Sequence, residues 1–287
     1  MKTVKQIGGS PMVSMGPVRL RQPLPSLQVS TFDPFILLHH YGPYAIGPFN
    51  NPFDLGPHPH RGFEPITLLY KGEQLHRDSL GNESVVKAGD VQWTTAGRGI
   101  IHAEGPRKEW VQEGGELEGI QLWLNLPKDK KMMTPNYQHI KSEAMEEVTN
   151  EEGTISIKVV AGNLNGKQGK IKTQTDVNVL MGVASGSDSM EISIVENHET
   201  LIYLLDGELL VNDEHLMKKG ATQMLTFNQD GTTLKVTAKG DANFLVLSGT
   251  PLKEPVAQYG PYVMNTQTEI LEALRDYQMG KMGFLAD

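Results

Sequence analysis

The sequence predicts an all-β chain built from two similar halves, and three observations carry that prediction. Glycine (30) and proline (17) are frequent among the 287 residues, which cuts the chain into short segments joined by turns rather than long helices. Ile120, Leu122, Leu124 and Leu126 alternate with Gln121, Trp123 and Asn125, the period of two that marks a strand with one buried face. Finally, Ile66-Thr67-Leu68-Leu69-Tyr70-Lys71-Gly72-Glu73 is echoed by Leu201-Ile202-Tyr203-Leu204-Leu205-Asp206-Gly207-Glu208. Each copy reads as strand, turn, strand, and each is followed by a second glycine turn, at Gly89 and at Gly220. A duplicated β-barrel satisfies all three.

Taken in order, Met12, Val13, Val18 and Leu20 mark one or two edge strands. Phe32 to Leu38 is a buried strand, and the Pro- and Gly-rich stretch 42–57 is expected to be loop. Thr67–Tyr70, the segment beginning at His76, and Val91–Thr94 are further short strands separated by turns at Gly72, Gly81 and Gly89. Residues 127–154 read as a solvated loop whose Lys128, Lys130 and Lys131 are loop charge. Ile155–Ala161 is a strand, 162–170 is rich in turn residues, and the domains are placed at 1–150 and 151–287. Met190, Ile192 and Ile194 form a strand of the second half. The one helix expected is close to the C-terminus: Thr266-Gln267-Thr268-Glu269 fits a capping box and Gly280 a helix stop. Ile270, Leu271, Leu274 and Tyr277 would form its apolar stripe against a barrel.

Composition removes several functional classes. Lys plus Arg is 26 against 34 acids, a net charge of −8, without the basic footprint of a protein that binds nucleic acid directly. The absence of cysteine excludes disulfides, thiolate metal sites and cysteine nucleophiles and fits a cytoplasmic location. There is no apolar run long enough for a membrane helix, and Met1 to Leu20 lacks the apolar core of a secretory signal. No phosphate-binding glycine loop, dinucleotide fingerprint or G-x-S-x-G elbow occurs.

The chemistry concentrates between His58 and Glu104. His58-Pro59-His60 and His102-Ala103-Glu104 are both spaced i, i+2, so in extended strands both members of each pair point the same way. Two such strands side by side aim three imidazoles and one carboxylate at a common point, a donor set suited to Fe, Ni, Cu, Co, Mn or Zn rather than Ca or Mg. Pro59 lacks an N–H and belongs on an edge strand. Glu64, four residues after His60, competes with Glu104 for the carboxylate position; otherwise it is an acid that orients a histidine. His39 and His40 are adjacent and face opposite ways, so at most one reaches a pocket. His76 and Asp78, beside Arg77 and a Gly-Asn turn, read as a solvated face. The second half holds only His198 and His215, unpaired, and no metal site is expected there.

The segments His58-Pro59-His60-Arg61-Gly62-Phe63-Glu64, His76-Arg77-Asp78-Ser79-Leu80-Gly81-Asn82, Gly89 through Glu104, Gln121-Leu122-Trp123-Leu124-Asn125-Leu126-Pro127 and Pro251-Leu252-Lys253-Glu254-Pro255-Val256 together resemble the pirin family of the cupin superfamily. That resemblance implies a bicupin of two antiparallel jelly-roll β-barrels, with a metal in the N-terminal one only. It also implies the ligand set His58, His60, His102 and Glu104, with Glu104 as the catalytic base. Pirins often carry an acid near position 39, where this chain has His39, so pocket polarity differs. The implied activity is that of a quercetin 2,3-dioxygenase with one divalent transition metal, iron(II) first and Cu, Ni, Co, Mn or Zn as alternatives, acting on a flavonol-like aromatic and dioxygen. Other pirins act as transcriptional co-regulators, which makes a protein-binding module without turnover the alternative.

Overall fold

The computed structural model describes residues 1–285. The chain forms two compact units of antiparallel strands. The first barrel contains Val13–Leu20, Phe35–Ser142 and the chain from Leu252 onward; the second contains Met1–Met12, Arg21–Pro34 and Glu143–Pro251. These units are not the contiguous halves 1–150 and 151–287, because the chain ends are exchanged. Strand Val4–Gly8 pairs with Met224–Phe227 and covers an otherwise open sheet edge of the second barrel. The C-terminal helix belongs to the first.

Strand for strand, the two barrels have the same order. In the first, a seven-stranded sheet runs Asn136–Ile140, Val91–Thr95, Phe63–Lys71, Gly115–Asn125, Phe35–Ile46, Val18–Leu24, Met12–Met15, and a four-stranded sheet runs Leu55–His60, Ile100–Gly105, Glu73–Asp78, Glu83–Lys87. In the second, the corresponding sheets run Val4–Gly8, Met224–Phe227, Glu199–Asp206, Ala242–Gly249, Val177–Ala184, Ile155–Ala161, Glu146–Thr149 and Ser189–Ser193, Thr233–Ala238, Glu208–Val211, His215–Lys218. The repeated strand-turn-strand units hold corresponding places, their turns made by Gly72 (φ 82°) and Gly207 (φ 84°) in the left-handed region that favours glycine.

What fills the barrels differs. On the four-stranded sheet of the second, Met190, Ile192, Leu209, Val211, Leu234, Val236 and Ala238 share one face through their register and are buried in a single apolar cluster. His215, opposite Val211, stands at the margin of that face, partly exposed and 3.6 Å from Glu214, and among the described residues no cluster of metal-binding side chains lies there. His198 is buried elsewhere, against Ser248 Oγ (3.2 Å) and Asp176 (3.3 Å). The corresponding face of the first barrel carries the histidines.

Three sequence expectations need correction. The Pro- and Gly-rich stretch 42–57 is loop only over 47–54: Phe35–Ile46 continues through Gly42-Pro43, and the next strand starts at Leu55. A register shift between Leu117 and Gly119 faces Gly42 (φ 90°), so these residues make a bulge rather than a loop. The supposed loop 127–154 contains strands Asn136–Ile140 and Glu146–Thr149, and Lys131 is not loop charge. Its ammonium is buried and donates to Gly62 O (2.8 Å), Asn125 Oδ1 (2.6 Å) and Val263 O (3.0 Å), pinning the turn that follows His60.

The terminal helix is Gln267–Gln278, with the capping box at Thr266 and Glu269 formed in both directions. Its buried side is Ile270 and Ala273 with Leu274 partly covered, whereas Leu271 (66% exposed) and Tyr277 lie on the solvent side. The narrower stripe packs against Ile101, Ala257, Tyr262, Met264 and Met282. Ile101 points to the back of the strand that carries His102, so the helix supports that strand from behind. No helix among the described residues is long and apolar enough to cross a membrane.

Candidate metal centre

Strand Leu55–His60 is an edge strand, as Pro59 requires, and pairs with Ile100–Gly105 so that His58 lies opposite His102 and His60 opposite Ile100. On its other side Ile100–Gly105 pairs with Glu73–Asp78, placing His102 opposite Asp78 and Glu104 opposite His76. Direct partners in an antiparallel pair share a face. The pairing therefore collects His58, His60, His102, Glu104, His76 and Asp78 on one face of the four-stranded sheet. Arg61 fixes the end of the edge strand by donating from Nε to Arg98 O (2.6 Å) and from Nη1 to Asp276 Oδ2 on the terminal helix (3.1 Å).

Ligand-type atoms of His58, His60 and His102 lie within 4.8 Å of one another, as do those of His76, His102 and Glu104. Ring centroids are 4.4 Å apart for His58 and His102, 4.8 Å for His60 and His102, and 4.9 Å for His58 and His60. His60 and His102 are buried and His58 is half-buried. Burial holds His60 down at about 3, with His58 adding to the effect, and burial together with His60 and His58 holds His102 well below the ordinary histidine range. Both rings are therefore neutral at physiological pH, the form that ligates metals.

The buried ring nitrogens Nδ1 of His60 and both Nδ1 and Nε2 of His102 have no hydrogen-bond partner. Unpaired buried polar atoms are costly, and a divalent ion accepting one lone pair from each ring satisfies one nitrogen of His60 and one of His102. His58 bonds Gly56 O through Nδ1 (2.8 Å), leaving Nε2 for the centre. These residues fit a divalent transition metal by donor type, protonation and unfilled bonding capacity.

Glu64 lies apart from both groups. It is fully buried and accepts from Thr95 Oγ1 at 2.6 Å, whereas Glu104 is grouped with His102 and His76. His76 and Asp78 are not a solvated face. They are 0% and 2% exposed, joined at 3.1 Å, with the His76 ring stacked on Tyr137 at 4.1 Å. Burial works against the Asp78 charge, but hydrogen bonds from His76 and Asn82 prevail and lower its pKa. Their i, i+2 spacing puts both on the face that pairs with His102 and Glu104, while Arg77 and the Gly81-Asn82 turn lie off that face. His40 pairs with Glu118 at 3.3 Å, away from the cluster.

The opposite wall comes from the seven-stranded sheet, where His139, Gln92, Thr67, Gln121 and His39 stand in one cross-strand row. Gln92 donates to Glu104 and to Thr67 (3.0 Å), and Thr67 lies 3.3 Å from Gln121. Phe63 and Trp123 (centroids 4.3 Å apart) border His60. Trp123, Gln121, Leu37 and His39 are half-buried on this face, marking where it meets solvent. Burial takes His39 down to about 4, so the rim carries a neutral imidazole. In sequence the row shows only as Thr67, Gln92 and Gln121 set among otherwise apolar strand residues.

Two family models match, Pirin over residues 17–124 and the Pirin C-terminal cupin domain over 179–283. A Pseudomonas aeruginosa protein named "Putative quercetin 2,3-dioxygenase" is 36% identical over 249 residues, covering 87% of this chain and 86% of that one. A tomato (Solanum lycopersicum) "Pirin-like protein" is 33% identical over 258 residues, covering 90% and 84%. The crystal structure of a quercetin 2,3-dioxygenase from Acinetobacter baumannii covers 100% of both chains at 35% identity and a TM-score of 0.91. With both halves matched, the duplicated barrels in place and the histidine cluster in the first, the chain belongs to the pirin family, a bicupin.

Proposed function

We propose that this pirin is a metal-dependent dioxygenase that opens flavonols such as quercetin with release of carbon monoxide, and that His58, His60, His102 and Glu104 hold its single divalent ion, iron(II) first among the candidates. The observation that supports this most is the set of buried, neutral imidazoles with unpartnered nitrogens beside one carboxylate. The quercetin 2,3-dioxygenase names of relatives in this identity range point the same way.

When bound, such an ion supplies Lewis acidity that makes a flavonol 3-hydroxyl easier to ionise. Glu104 takes that hydroxyl proton as general base. Phe63 and the half-buried Trp123 offer flat apolar surface to an aromatic substrate, and the row from Thr67 to His39 offers hydrogen bonds to its hydroxyls. Dioxygen is the co-substrate. Two carbon–carbon bonds of the central ring break, both oxygen atoms enter the ester product, and the carbon between the breaks leaves as carbon monoxide.

The test is to load the protein separately with Fe(II), Cu(II), Ni(II), Co(II) and Mn(II), add quercetin in air, and follow loss of the flavonol absorption together with carbon monoxide. Turnover with at least one metal, lost in His58→Ala, is the expected result. Metal uptake without turnover under any of these conditions would overturn the dioxygenase reading and leave a metal-dependent protein-binding role.

A further inference from the structure

Among the described residues, the polar contacts of Glu104 fall on one of its two oxygens. Oε1 accepts from Gln92 Nε2, lies 3.5 Å from Thr67 Oγ1 and 3.8 Å from His102 Nδ1. Gln92 is itself 2% exposed and its orientation is determined by its neighbours. The carboxylate requires a donor, and Thr67 Oγ1, 3.0 Å from the same nitrogen, accepts from it. On the far side Tyr137 donates its hydroxyl to Gln92 Oε1 at 3.4 Å. A reversed amide would set oxygen against carboxylate and lose that bond, whereas the tyrosine hydroxyl can donate to the amide oxygen or accept from its nitrogen. The Tyr137 ring is stacked on His76, which faces Glu104 across the strand pair.

We infer that Gln92 is the positioning residue of Glu104. Its amide, oriented by the carboxylate and braced from the far side by Tyr137, holds Oε1, so that Oε2 alone is offered to the ion and to the substrate proton. This rests on the ligand set proposed above. The physical role is to fix one carboxylate geometry in a place where a free side chain would rotate about its last torsion, swing away, or bind through both oxygens. Outer partners of this kind change metal affinity by about 10–100-fold when removed.

The experiment titrates Co(II), whose visible absorption reports coordination geometry, into the full-length wild type and the variants Gln92→Met, Glu104→Gln, their double mutant and Tyr137→Phe. Each is first checked for a cooperative thermal transition. Gln92→Met keeps the side-chain length and removes the donor. Tyr137→Phe keeps the ring on His76 at a half-buried position and removes only the hydroxyl, so it remains informative if Gln92→Met does not fold. The expected result is one Co(II) per chain in both, bound about 10–100-fold more weakly in Gln92→Met with an altered visible spectrum, and a smaller change of the same kind in Tyr137→Phe. In the Glu104→Gln background the Gln92→Met effect should vanish, since a residue acting through Glu104 has nothing left to act on. A general structural role would instead give additive losses. Wild-type affinity and spectrum in both single variants, or additivity in the double mutant, would overturn the inference alone. No Co(II) bound by the wild type would overturn it together with the ligand set.

Discussion

His58 and His102 are direct partners in neighbouring antiparallel strands, their ring centroids 4.4 Å apart. The alternation of side chains along these strands brings His60 and Glu104 to the same face. Buried imidazoles with unfilled nitrogens, as at His60 and His102, do not stabilise a barrel by themselves. The second barrel shows the apolar solution, with aliphatic side chains on the corresponding face. The first barrel keeps polar groups where a methyl-lined core would pack better, and the predictions below follow from that difference.

Removing one ligand should abolish the centre. In His58→Ala or His102→Ala, metal stoichiometry measured by elemental analysis after exhaustive dialysis should fall from one to near zero. Affinity should drop more than the roughly 100-fold upper range seen for outer partners. Glu64→Gln should leave stoichiometry at one, because Glu64 bonds Thr95 and lies outside both groups.

Metal should also act as a stabiliser. A ligand that binds only the native state at about 100 times its Kd adds about 2.7 kcal/mol. Differential scanning calorimetry should therefore show the metal-loaded protein melting several degrees above the chelator-treated one. His58→Ala should show no such shift.

Lys131 should make stability depend on alkaline pH in a defined sense. Burial pulls its pKa from 10.5 down to about 8, against the pull of Glu254 and Glu269. Between those two values the unfolded chain keeps the proton that the native chain has released. The unfolded state therefore binds more protons, and stability from this group rises with pH across that window and is flat below it. Urea melts of wild type and Lys131→Met should show the difference moving in favour of wild type as pH rises from 8 towards 10, by at most about 1.4 kcal/mol per unit. At neutral pH the substitution leaves three acceptors without their donor, at a cost of about 1–3 kcal/mol.

The terminal helix should be sensitive at its cap. Thr266→Ala removes the bond to the Glu269 N–H (3.2 Å) and should cost about 1 kcal/mol, seen as a lower urea midpoint at unchanged m-value. Leu271→Ala, on the exposed side, should change stability by less than about 0.5 kcal/mol.

Much of this was legible before any coordinates. Period-two alternation around Trp123, the echo of Ile66–Glu73 in Leu201–Glu208, and the two i, i+2 pairs rest on local rules of strand geometry, which sequence states directly. What failed depended on long-range neighbours. Lys131 reads as loop charge until Gly62 and Val263 are seen to converge on it, and Gly42-Pro43 reads as loop until its bulge against Leu117 and Gly119 is known. His76 and Asp78 are ordinary polar residues in sequence; only pairing with His102 and Glu104 shows them to be interior. The exchange of chain ends between barrels likewise leaves no local signature.

The most direct test of the four-residue centre is an anomalous-scattering map from crystals of the full chain loaded with iron(II) or nickel(II), collected at the metal edge. The expected result is one peak per chain in the first barrel, within about 2.0–2.2 Å of a ring nitrogen from each of His58, His60 and His102 and of a Glu104 oxygen, with none in the second barrel. A peak held by Glu64 or His76 in place of Glu104, or no peak between the two histidine strands, would contradict it.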